Sequence, residues 1–211
     1  MNGSIPPGKP DMDQKERLNK LLEGNSRFVS GNRVGVSAPW DPDAMLSGQE
    51  PFAAVLGCSD SRVPPEQLFD MGPGEIFVVR VAGNIAGKSQ IESLEYAVSQ
   101  LHVPLLVVLG HDDCGAIKAA LKSEAAGTDG DLIWHVRLAV AHVLVGEKAF
   151  HDVLHEAVQE NILSTMKDLI DRSPLIRQRM ESGDLALVGA RLSLDSGEVS
   201  VLKVLGKGLE E

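Results

Sequence analysis

Four short apolar runs, closed or flanked by Gly and Pro, set the strongest limit on what this chain can fold into. Residues 52–57 (FAAVLG), 76–81 (IFVVRV), 105–110 (LLVVLG) and 185–190 (LALVGA) are rich in branched side chains. Each is too short for a helix of ordinary length and reads as a strand buried on both faces. Between the second and third, Ile91, Leu94, Val98 and Leu101 recur at helical spacing. Residues 129–170 keep a helical period until Ser173-Pro174 interrupts it, and 192–205 alternate around Asp195-Ser196-Gly197, a hairpin signal. Strand, helix, strand, helix predicts an α/β fold: a mainly parallel β-sheet flanked by helices, with a long C-terminal helical region.

Ahead of the sheet, residues 1–30 predict a helical arm. Three Pro and two Gly loosen its start, Asp11 or Asp13 offers an N-cap, and Leu18, Leu21 and Leu22 share one side. That apolar side has little reason to cover the chain's own sheet and is expected to embrace a second copy. Residues 31–211 form the single α/β domain.

At 43% hydrophobic and 24% charged over 211 residues, the chain has enough apolar surface for a large core. Its formal charge of −10, from 20 basic against 30 acidic residues, leaves no basic patch for nucleic acid. No run approaches the roughly 20 apolar residues of a membrane span. Residues 1–10 have no signal-peptide pattern, and the expected location is cytoplasmic.

The chemistry concentrates in two loops. Cys58-Ser59-Asp60-Ser61-Arg62 follows the first strand, and His111-Asp112-Asp113-Cys114-Gly115 follows the third. Parallel strands bring their carboxyl ends to one edge, where ligands bind, so the loops face each other across the sequence gap. Two thiolates and an imidazole suit zinc, and three protein ligands with an open fourth position are the pattern of a catalytic site. The plainer alternative is a pair of buried free thiols beside a turn histidine.

Together these loops resemble the C-x-D-x-R and H-x-x-C motifs of the β-class carbonic anhydrases. The likeness continues through Phe77-Val78-Val79-Arg80-Val81-Ala82-Gly83-Asn84 and residues 91–98, and covers the chain from about Leu18 onward. It implies one Zn2+ per chain on Cys58, His111 and Cys114, with Asp60 and Arg62 as the catalytic dyad. It also implies reversible hydration of CO2 to bicarbonate and a proton, by attack of zinc-bound hydroxide. Gln49 matches a substrate-binding glutamine, and Phe77 and Tyr96 match aromatic pocket residues. Part of the pocket comes from a neighbouring subunit, in a homodimer or tetramer. Asp60 doubles as a fourth zinc ligand in a closed form of the family's site.

The sequence departs from the family at Val81, where many members carry Asn, and at Asp112 and Asp113, where smaller or neutral residues are common. Val81 suits an apolar pocket wall, and the two carboxylates would either orient His111 or face solvent. His151 and His155 sit four apart but lack the Glu of a metalloprotease helix. His135 and His142 fit a helix face at a subunit contact, and Trp40 and Trp134 read as packing anchors. Competing readings are hydrolysis of CS2 or COS, a non-catalytic zinc or bicarbonate sensor, and a thiol redox enzyme.

Overall fold

Each apolar run becomes a strand of one five-stranded sheet, ordered β2-β1-β3-β4-β5. The strands are β1 (Ala53–Gly57), β2 (Ile76–Arg80), β3 (Leu105–His111), β4 (Ala186–Leu192) and β5 (Val199–Leu205). The first four run parallel; β5 returns antiparallel to β4 through the turn read at Asp195-Ser196-Gly197. The computed structural model describes residues 12–35, 40–122, 130–144, 149–207 and 209. β1 and β3 are buried at every position, as continuous apolar strands covered on both faces should be.

The helices are α1 (Gln14–Ser30), α2 (Pro42–Leu46), α3 (Pro65–Leu68), α4 (Lys88–Gln100), α5 (Gly115–Lys122), α6 (Gly130–Val140), α7 (Phe150–Arg172) and α8 (Pro174–Ser182). α4 buries Ile91, Leu94 and Val98 as its period predicts, and Leu101 follows it half-buried. The helical stretch expected over 129–170 is divided between α6 and α7, with a 3-10 turn at Ala141–Leu144. Its residues 129 and 145–148 lie outside the described part, as do the arm's first 11 residues. Ser173 ends α7 and caps α8, its hydroxyl accepting from the Ile176 N–H at 3.1 Å, while Pro174 fills the first turn.

α1 begins with a reciprocal capping box between Asp13 and Glu16, both bonds at 2.8 Å. The free apolar face expected of this helix is in part occupied by its own chain. Leu21 is 1% exposed in the core, a burial that stabilises by about 1.5–3 kcal/mol. Asn25 fastens the helix: its Nδ2 donates to the carbonyls of Leu68 and Gly197, and its Oδ1 accepts from the Val199 N–H.

α7 lies on β3 and β4 through one buried stripe: Leu154, Ala157, Val158, Asn161, Ile162, Thr165, Met166 and Leu169. Two glycines let it approach. A Cβ built on Gly110 would stand 2.6 Å from Ile162, and one on Gly189 2.6 Å from the Met166 sulfur.

Candidate metal centre

Cys58 leaves the end of β1, His111 ends β3, and Cys114 immediately precedes α5; β1 and β3 are direct parallel neighbours. Strand pairing therefore joins the two motifs. The ligand atoms of Cys58, His111 and Cys114 all lie within 4.8 Å of one another, and the residues are only 4%, 1% and 1% exposed. They are the one such cluster found among the described residues.

The donor set fits zinc. Two sulfurs on a tetrahedral ion at 2.3 Å should stand about 3.8 Å apart, and the Cys58 and Cys114 sulfurs are 3.9 Å apart. His111 Nδ1 contacts the backbone carbonyl of Asp112 at 2.7 Å, which fixes the ring and leaves Nε2 for the cluster. That Nε2 is buried and has no hydrogen-bond partner. A buried nitrogen without a partner is costly unless an ion takes its lone pair.

The Cys58 sulfur is prepared for charge. Cys58 Sγ accepts from the backbone N–H of Gly83 at 3.3 Å and of Asp60 at 3.4 Å. Its pKa is lowered to about 4, chiefly by the hydrogen bond from Cys114, which outweighs burial; His111 and the two N–H groups add to the effect. The Cys114 thiol is pushed up, first by that same bond and then by burial and the Cys58 charge, while the N–H groups of Ile117 and Ala116 pull the other way. The two thiols thus titrate as a coupled pair. Burial works against a charge on His111, yet the adjacent Cys58 thiolate and the Asp112 carbonyl raise its pKa.

Asp60 and Arg62 form the dyad that the motif predicts. Arg62 donates from Nε to Oδ1 at 2.9 Å and through a terminal nitrogen to Oδ2 at 2.7 Å, and its backbone N–H reaches Oδ1 at 3.0 Å. This bidentate grip holds the Asp60 carboxyl well below the usual carboxylate range. Arg80 stiffens the loop from behind, donating to the carbonyls of Cys58 at 2.9 Å and Asp60 at 2.6 Å. The sequence reading missed Arg80. Its signal was a lone cation inside the apolar run 76–81.

Orientation of His111 falls to the Asp112 backbone, and neither carboxylate performs it. Asp112 Oδ1 lies 3.6 Å from Arg191 Nε, and Asp113 pairs with Lys118 and, at 3.8 Å, with Arg62. Val81 stands beside the cluster: its N–H donates to the Gly57 carbonyl at 3.1 Å, and its carbonyl accepts from Ser59 at 3.2 Å.

Gln49, Phe77 and Tyr96 are not brought to the cluster of their own chain. Gln49 precedes β1, so the strand, spanning about 16 Å, separates it from Cys58; it lines a hollow with Arg17, Phe52 and His102. Phe77 lies four residues before Val81 on the edge strand β2, its ring 6.2 Å from that of Tyr96, which is 48% exposed.

His135, His142 and His155 pair within the chain. His135 meets Asp168 at 2.9 Å and His142 meets Glu160 at 3.2 Å, both across to α7. His155 contacts Arg191 and Gln159, and His151 is exposed on the same helix. Trp40 and Trp134 do not anchor the core: they are 71% and 39% exposed, because their segments lie on the surface of this chain.

Comparison with known proteins shows one family. The family model described as carbonic anhydrase matches residues 53–199. Carbonic anhydrase 2 of Mycobacterium tuberculosis is 42% identical over 194 residues, covering 90% of this chain and 94% of that protein. A Coccomyxa β-carbonic anhydrase structure superposes with a TM-score of 0.71 at 27% identity, covering 90% of this chain and 84% of the other. A tetrameric β-carbonic anhydrase of Sordaria macrospora gives 0.67 at 27% identity, covering 88% and 96%.

Proposed function

Because the chain belongs to the β-carbonic anhydrase family, we propose that it interconverts CO2 and bicarbonate at a zinc ion held by Cys58, His111 and Cys114. The observation that carries this reading is the partnerless His111 Nε2 beside two sulfurs at tetrahedral spacing. When bound there, zinc supplies a nucleophile at neutral pH by acidifying water.

The chain's own groups do the rest. N–H donors from Gly83 and Asp60 spread the charge of the Cys58 sulfur. Asp60, kept ionised, offers a carboxylate oxygen that accepts the proton of the attacking oxygen and so aims its lone pair at carbon. Arg62 holds Asp60 in that role and away from the metal position. Breaking the dyad frees Asp60 to approach as a fourth ligand, which is the closed form of the site. Val81 adds an apolar wall suited to an uncharged linear substrate.

A second copy of the chain completes the pocket with its Gln49, Phe77 and Tyr96, in a homodimer or tetramer. Gln49 lies too far from its own Cys58 to serve it, and Tyr96, Trp40 and Leu46 expose large apolar surfaces for such a contact. Residues 1–30 add to that interface as an arm on the single domain 31–211. Two cysteines that must stay reduced suit the cytoplasm; no described helix is long and apolar enough to cross a membrane.

Metal analysis tests the ligand set. Purified protein should carry one zinc per chain, and Cys114→Ala should lose both zinc and CO2 hydration. Full zinc occupancy in that variant would overturn the assignment.

A further inference from the structure

Behind the cluster lies a polar connection that no sequence motif marks. α7 packs on the sheet through an apolar stripe, but its central member is Asn161, only 1% exposed. Asn161 Nδ2 donates to the carbonyl of Gly83 at 2.8 Å, across 78 residues of chain. The N–H of the same Gly83 donates to Cys58 Sγ. One peptide turn thus links a buried amide on α7 to a metal-binding sulfur.

That turn closes on one bond of its own, from the Asn84 N–H to the Val81 carbonyl at 3.0 Å, but its backbone is costly. Gly83 sits at φ 71° and ψ 16°, and Asn84 follows at φ 44°, so two consecutive residues occupy the left-handed region. Asn84 is fully buried, and neither its Nδ2 nor its Oδ1 has a hydrogen-bond partner. A Cβ on Gly83 would meet Val136 at 3.0 Å and Ala116 at 3.3 Å, so the space admits glycine and little else. A conformation with such local costs persists where surrounding contacts over-determine it. The Asn161 bond is the contact that reaches this turn from α7.

We propose that Asn161 is a positioning residue of the metal centre: by gripping the Gly83 carbonyl it aims the Gly83 N–H at Cys58 Sγ and so moderates that sulfur's donor strength. The proposal rests on the zinc reading above. A hydrogen-bonded thiolate holds its lone pairs at lower energy. Losing the bond makes the sulfur a stronger donor and leaves its position less defined. Groups that orient metal ligands in this way typically change metal affinity 10–100-fold when removed.

Cobalt(II) in place of zinc provides a readout independent of turnover. The wild-type protein should show a thiolate-to-cobalt charge-transfer band. Asn161→Leu should move that band to longer wavelength, and zinc affinity, measured by competition with a chromophoric chelator, should fall about tenfold. Asn161→Ser, too short to span to Gly83, should do the same and keeps the test open if the leucine variant folds poorly. Leu169→Ala, two turns along the same buried stripe, should lower the thermal midpoint and leave the band in place. An equal band shift in Leu169→Ala would reduce Asn161 to a packing residue and overturn the proposal. An unmoved band in both Asn161 variants would overturn it while the metal reading stands; no band in the wild type would overturn both.

Discussion

Gly110→Ala puts a methyl group where α7 crosses the sheet, one residue before His111. The added Cβ would stand 2.6 Å from both Cγ1 and Cδ1 of Ile162, well inside the 3.4 Å at which ordinary contact begins. β3 cannot yield, because it is paired to β1 on one side and β4 on the other. Ile162 is fully buried, so its side chain or α7 must shift instead. Overpacking of this kind costs about 1–3 kcal/mol. At about 2 kcal/mol, a domain of this size should lose about 4–8 °C in thermal midpoint.

The same geometry predicts a reversal of sign. Ile162→Ala alone should cost about 2–5 kcal/mol through the cavity it leaves. In that background the methyl added at position 110 fills part of the void, so Gly110→Ala becomes neutral or stabilising. Urea denaturation of the four proteins, at one protein concentration and one zinc concentration, measures the cycle. An equal cost for Gly110→Ala in both backgrounds would refute the packing argument.

Three further outcomes follow from the structure. Removing the guanidinium in Arg62→Ala should abolish hydration and, in zinc-stripped protein, let the Asp60 pKa rise toward its unperturbed value of about 3.9, as carbon-13 NMR titration can read. Folded Asp60 titrates below its unfolded value, so its share of stability is full above about pH 4 and fades as pH falls through the depressed value; Arg62→Ala should flatten that acid limb in urea midpoints measured against pH. Mixing Gln49→Ala subunits with Cys58→Ser subunits should restore activity that neither has alone, because the hybrid pairs an intact metal cluster with the other chain's Gln49; a mixture as inactive as its parts would place Gln49 outside the site. Asp13→Ala should cost about 1 kcal/mol in urea, since it opens the capping box of α1.

The sheet and the Cys58–His111–Cys114 cluster were legible because each depends on a local pattern. Buried parallel strands must be continuously apolar, and the two ligand loops had to meet once those strands paired. Contacts reaching across the chain were not legible. Leu21 has the same helical spacing whether its partner is the chain's own core or another copy, and only the fold shows it buried at home. Trp40 and Trp134 suggest anchors by residue type, but type does not fix where a segment lies. Asp112 supplies His111 with a backbone carbonyl, a group every residue has, so its carboxylate was a misleading cue. Asn161 left a trace: a polar residue on an apolar stripe. Its target Gly83 lies 78 residues away.

The central claim is that zinc on Cys58, His111 and Cys114 makes this chain a CO2 hydratase. Stopped-flow CO2 hydration tests it most directly, on the protein as purified, after zinc is stripped by a chelator, and after zinc is returned. The account predicts rapid hydration, its loss on stripping, and its recovery with one zinc per chain. Hydration that persists in the fully stripped protein, or none in protein carrying its full zinc, would contradict it.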